Sequence, residues 1–86
     1  MKVKVVLVEW SDSYFENGWR KKGDFRLASS KCISTGILLN KTRDDVTLVS
    51  SHSDEDTYGD AITIPRKVIS KLEIIKEFDW SGIKEK

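Results

Sequence analysis

Eighty-six residues, 38 % apolar and 34 % charged, make one small domain whose core must be thin. Fifteen basic and 14 acidic residues leave a net charge of +1, which excludes a molecule-wide field for non-specific nucleic-acid binding. No apolar run approaches the ~18 residues of a membrane span, and a single cysteine excludes a disulfide framework within the chain.

At the start of the chain, Val3, Val5 and Leu7 alternate with Lys2 and Lys4, and Val6, Val8 and Trp10 then make the second face apolar. This pattern predicts a strand that begins half exposed and becomes buried on both faces. Its apolar run is only four residues before Glu9, too short for a secretion leader. From Trp10 to Lys31 follows a stretch with neither strand nor helix periodicity, holding five of the eight aromatics and the basic run Arg20-Lys21-Lys22. A loop of this length in a small domain is functional or disordered, and its aromatics argue for function. Asp12 and Ser13 at its start suit turn formation.

Cys32-Ile-Ser-Thr-Gly-Ile-Leu-Leu39 predicts the second strand, with Gly36 marking a sharp bend or bulge. Cys32 within that run reads as a buried reduced thiol, in keeping with a cytoplasmic protein. Residues 40–45 carry turn chemistry, and Val46 to Ser51 the third strand. The acidic stretch Ser53 to Asp60 reads as a solvated loop containing no metal site. Asp54-x-Asp56-x-Tyr58-Gly59 begins like a calcium loop, but Tyr58 and Pro65 stand where that loop needs oxygen ligands. Ala61-Ile-Thr-Ile64 is the fourth strand, ended by Pro65. One helical turn follows over 66–69, and Lys71 to Ile75 is the fifth strand. Residues 1–76 thus form a β domain and 77–86 a charged tail, in which Phe78, Trp80 and Ile83 are apolar anchors for docking in cis or to another subunit.

Five short strands at this spacing predict an all-β, five-stranded, strongly bent small barrel with a long loop after its first strand. Ile37-Leu-Leu-x5-Val-Thr-Leu-Val, followed by Ile-Thr-Ile-Pro-x3-Ile-x2-Leu, resembles the Sm-like variant of the SH3-like barrel over Cys32 to Ile75. That resemblance implies an oligomeric ring; where the family carries its RNA contacts, an Asn in the turn before the third strand and an Arg-Gly pair near the fourth, this chain reads Thr42-Arg43-Asp44-Asp45 and Pro65-Arg66-Lys67. A second set, Val-Glu-Trp10-x-Asp12-Ser13, Gly18-Trp19, Ser34-x-Gly36-x-Leu38 and Ile64-Pro65-x3-Ile69, is similar to small proteins encoded by bacteriophages and prophages. It implies a viral accessory protein acting in the host cytoplasm, and brings no activity with it.

No pairing of nucleophile and base, metal cluster or phosphate-cradling glycine loop is legible, so the chain reads as a binding module without catalysis or cofactor. Ser13 has no base, because His52, the one histidine, lies far along the chain in a polar stretch. Tyr14 and Trp19 with Arg20, Lys21, Lys22, Arg66 and Lys67 suit a nucleotide or short RNA, the aromatics stacking on bases and the cations meeting phosphates. The same residues suit a host-protein interface, where Trp, Tyr and Arg dominate binding energy. In a third reading the chain is a structural phage component linked through its tail. Under the first reading the protein is a homo-oligomer.

Overall fold

The computed structural model describes residues 1–12, 18–24 and 29–82. These form five antiparallel strands in one sheet: β1 (Lys2–Asp12), β2 (Ser30–Lys41), β3 (Asp45–His52), β4 (Tyr58–Pro65) and β5 (Ile69–Asp79). A 3-10 turn, Lys22–Asp24, lies between β1 and β2, and another, Arg66–Val68, joins β4 to β5. No helix among them is long and apolar enough to cross a membrane.

The strand order is β4-β3-β2-β1-β5, so the sheet is open and β4 and β5 are its outer strands. In a flat sheet these two would stand four spacings apart, about 19 Å. Yet one core contains Val6 and Val8 of β1, Val46 and Leu48 of β3 and Ile64 of β4, with Leu72 and Ile69 of β5 packed against it. Only a sheet curled over its own concave face brings Ile64 and Leu72 into one cluster. The β-branched side chains that dominate this core suit a pleated, strongly twisted surface. Among the described residues no polar or charged residue is buried, so the concave face is held by apolar contact.

Three irregularities bend the ladder. Leu39 is the extra residue where the β2–β3 register slips between Leu38 and Asn40. Ile75 and Ser70 are the extra residues where β5 slips against Val5/Val6 and Glu9/Trp10 of β1. Such bulges tighten local twist and re-aim side chains. Gly36 belongs to the bend without being a bulge. A Cβ built there would lie 2.8 Å from the Val49 carbonyl oxygen, so the backbones of β2 and β3 approach more closely than any side chain permits.

Several expectations are revised. β2 begins at Ser30 and β1 ends at Asp12, and Asp12 pairs with Ser30 as a strand residue and not a turn former. Cys32 is half-buried, a free thiol whose Sγ lies 3.9 Å from the Ser30 carbonyl oxygen. The acidic loop is shorter than residues 53–60, because Tyr58 to Asp60 belong to β4. β5 runs from Ile69 to Asp79, across the boundary drawn at residue 76, and Phe78 is one of its strand residues.

Gly36→Ala is expected to destabilise the protein by about 1–3 kcal/mol, the usual cost of overpacking. Gly59→Ala, whose Cβ would meet Ser51 Cβ at an ordinary 3.6 Å, serves as the matched control. Urea unfolding checks the pair, and equal midpoints would contradict the close approach.

Candidate functional site

The turn after β2 is tied by Thr42. Its N–H donates to the Asp45 carbonyl at 2.8 Å, and its hydroxyl oxygen accepts from the Asp45 N–H at 3.0 Å and the Asp44 N–H at 3.2 Å. This arrangement of a hydroxyl over its own turn leaves the Arg43 side chain almost wholly exposed. Pro65 ends β4, and the chain enters the 3-10 turn at Arg66. The Arg66 backbone N–H donates to the Asp44 carbonyl (2.8 Å), and its Nη1 donates to the Thr42 carbonyl (3.1 Å). Arg66 therefore stitches the β4–β5 connection to the β2–β3 turn.

Around Arg66 lie two clefts. One, of about 430 Å³, is lined by Arg43, Asp44, Asp45, Pro65, Arg66 and Lys67. The other, of about 360 Å³, is lined by Lys41, Val46, Arg66, Ile69, Ser70, Lys71 and Leu72. Five cations face these clefts against Asp44 and Asp45. Lys71 is paired with Glu73 at 3.4 Å and Arg43 with Asp44 at 3.8 Å; both are exposed contacts of small energy. A third cleft, of about 550 Å³, is lined by Glu9, Trp10, Ser11, Lys31, Cys32, Ile33 and Ser70. Here the bulged Ser70 donates its hydroxyl to the Glu9 carbonyl (3.1 Å), and Trp10 donates its indole N–H to Ser34 Oγ (3.0 Å). Trp10 is half-buried against the core, with one side committed to structure.

Of the expected ligand residues, Arg66 and Lys67 line the basic clefts. Trp19 is fully exposed, and neither it nor Arg20, Lys21 or Lys22 is among the described residues that line the three clefts. Tyr14 and Ile83 lie outside the described residues. The sequence reading missed Lys41, Lys71 and Lys31. For Lys41 and Lys71 a usable signal was present, since they flank the two turns at 42–44 and 66–68; for Lys31 there was none.

The opposite end of the sheet holds an aromatic cluster. His52 stacks on Tyr58 (centroids 4.2 Å, 19° between planes) and meets Trp80 edge-on at 5.2 Å. The Trp80 N–H donates to the Met1 carbonyl, which continues the β1–β5 edge. His52, Phe78 and Trp80 with Val3 and Ile37 line a small cleft of about 160 Å³. Trp80 thus packs in cis on His52, whereas Phe78 stays partly exposed at the cleft. Although its sequence neighbours are polar, the His52 side chain is only 3 % exposed, packed on Tyr58 and Trp80. His52 Nε2 lies 2.8 Å from Asp56 Oδ1, the same oxygen that accepts the Tyr58 hydroxyl at 2.9 Å. With Asp56 ionised, its carboxylate only accepts, and Nε2 is then the donor of that bond. Asp56 is presented by a left-handed backbone (φ 59°), a conformation Asp tolerates better than most residues.

Among the described residues no group of three or more His, Cys, Asp or Glu side chains is gathered for a metal ion. Comparison with protein-family models, with curated proteins and with solved structures gives no match.

The hydrogen bond to Asp56 raises the Tyr58 phenol above its usual 10.0, with burial and the carboxylate's charge adding to the effect. A proton held more tightly in the folded state stabilises it fully below the unfolded value of about 10, and that contribution is lost as pH rises through the folded value. Absorbance titration of the wild type and Tyr58→Phe is expected to show the missing phenolate titrating above 10.0. The stability difference between the two should narrow at high pH; a component titrating at or below the usual value would contradict the Asp56 contact.

Proposed function

We propose that this protein is a non-catalytic binding module that takes a nucleotide or short oligonucleotide at the clefts around Arg66. The observation that carries this reading is charge segregation. A chain with net charge +1 sets Lys41, Arg43, Arg66, Lys67 and Lys71 around two adjoining clefts whose lining carboxylates are Asp44 and Asp45. Local cations held on tied turns suit phosphate oxygens, and a low total charge does not oppose a site of this size. The curled sheet supports the reading as an SH3-like barrel of Sm-like type: its order is β4-β3-β2-β1-β5, and one 3-10 turn separates β4 from β5. Arg66 and Lys67 then stand on the turn that the Sm-like resemblance assigns to RNA. Within this proposal the protein is a homo-oligomeric accessory protein of phage type that works in a host cytoplasm.

The cleft at Phe78 and Trp80 favours a second reading, in which the aromatic end anchors a host protein. Its 160 Å³ suits one large apolar side chain, and aromatic anchors in such clefts carry much of the energy of protein interfaces.

Native mass spectrometry of the purified protein, followed by nucleotide titration, tests the first reading. Arg66→Ala and Lys67→Ala are each expected to weaken binding about tenfold, near 1.4 kcal/mol. Among the described residues the Lys67 side chain makes no hydrogen bond or ion pair, so its variant separates ligand contact from the stitching role of Arg66. Binding should also weaken as salt rises from about 50 to about 200 mM. Unchanged affinity in both variants would remove the clefts from the proposal. The same titration with Trp19→Ala and Arg20→Ala reports whether the long loop contributes.

A further inference from the structure

We infer that the site is built for a single nucleic-acid strand of several nucleotides, laid in one groove from Arg43 and Lys67 past Arg66 to Lys31 and Trp10. The inference rests on the nucleotide-binding reading and deepens it. The three clefts form a series: the first two share Arg66, and the second and third share Ser70. At about 430, 360 and 550 Å³, each alone lies in the range of pockets that hold one small ligand, ~300–1,000 Å³. A mononucleotide leaves most of such a series empty.

The path has a structural basis. It passes from the 42–45 turn across the 66–68 turn to the start of β5, then over the end of β1 to the start of β2. Neighbouring strands lie about 4.8 Å apart, so the part of the path from β5 over β1 to β2 alone spans about 10 Å, beyond the stretch along the 66–68 turn. The charges follow the same path. Among the described residues no ion pair engages Lys67, Arg66, Lys41 or Lys31, so each cleft keeps at least one cation with no carboxylate partner. The acidic residues along the path are Asp44 and Asp45 in the first cleft and Glu9 in the third. The groove also has a chemical gradient. Its Arg66 end is cationic, whereas its far end sets Trp10, Cys32 and Ile33 beside Lys31. Backbone phosphates suit the first part, and an unstacked base suits the apolar wall of the last.

The test is fluorescence anisotropy with fluorescein-labelled oligo(dT) and oligo(U) of two, four and eight nucleotides. Adenosine monophosphate and an unlabelled eight-base-pair duplex serve as competitors. Affinity is expected to rise at least tenfold from mononucleotide to tetranucleotide and to level off by the octanucleotide, with the duplex competing more weakly than the single strand. Lys67→Ala and Lys31→Ala, at opposite ends, should each weaken the octanucleotide about three- to tenfold. Both side chains are exposed, and matching thermal unfolding curves confirm that the variants fold. Adenosine monophosphate competing as well as the octanucleotide, or a duplex competing better, would overturn the inference and leave the nucleotide-binding reading standing. An absence of binding by every probe would overturn that reading itself.

Discussion

A single five-stranded sheet can enclose a core only by folding over itself, and this constraint governs the molecule. Ile64 on one outer strand and Leu72 on the other belong to the same apolar cluster, although three strands separate them in the ladder. The curl that unites them needs the short distance between Gly36 and Val49 and the extra residues Leu39, Ser70 and Ile75. The core cluster is wholly apolar, so register is set by these backbone features and by which face is apolar.

The curl is fastened at two ends by different chemistry. At one end Arg66 donates from its backbone and from its guanidinium to carbonyls of the 42–44 turn. At the other, Trp80 after β5 meets His52 of β3, which stacks on Tyr58 of β4 and is held by Asp56. The polar fastening leaves cations exposed around clefts, and the aromatic one leaves a small apolar recess. The two candidate surfaces are thus by-products of closing the same sheet, which explains why they sit at opposite ends.

Much of the architecture was legible. Each of the five strands announced itself through β-branched runs between turn residues, and Pro65 correctly marked the end of β4. Strand ends were not legible where polar residues continue the ladder. Ser30, Lys31 and Lys41 extend β2, and Lys76 to Asp79 extend β5, because pairing with β1 and β3 outweighs their weak local preference. Arg66 and Lys67 were singled out as candidates because they follow a proline in a turn, and they line one of the clefts. Lys31 and Lys41, at opposite ends of β2, and Lys71 on β5 were not, because they lie far apart in sequence and only the fold places them at neighbouring clefts. The packing of His52 was not legible for a related reason: its sequence neighbours are polar, while its packing partners, Tyr58 and Trp80, lie across a hairpin and near the end of the chain.

The extra residue Ile75 has a consequence for solubility. β5 is a terminal strand carrying Ile74 and Ile75, about half exposed, with Phe78 further along. A long, flat edge of this composition is a template for unwanted strand addition. Opposite Val5 and Val6 the bulge breaks the even spacing that an incoming strand must match, while Lys71, Glu73, Lys76 and Glu77 set charges on either side of the apolar pair. On the other outer strand, Asp60 with its positive φ and Pro65 interrupt the edge in the same way. The irregularities that curl the sheet therefore also guard its margins, so the chain can keep apolar residues on its outer strands without inviting growth of the sheet.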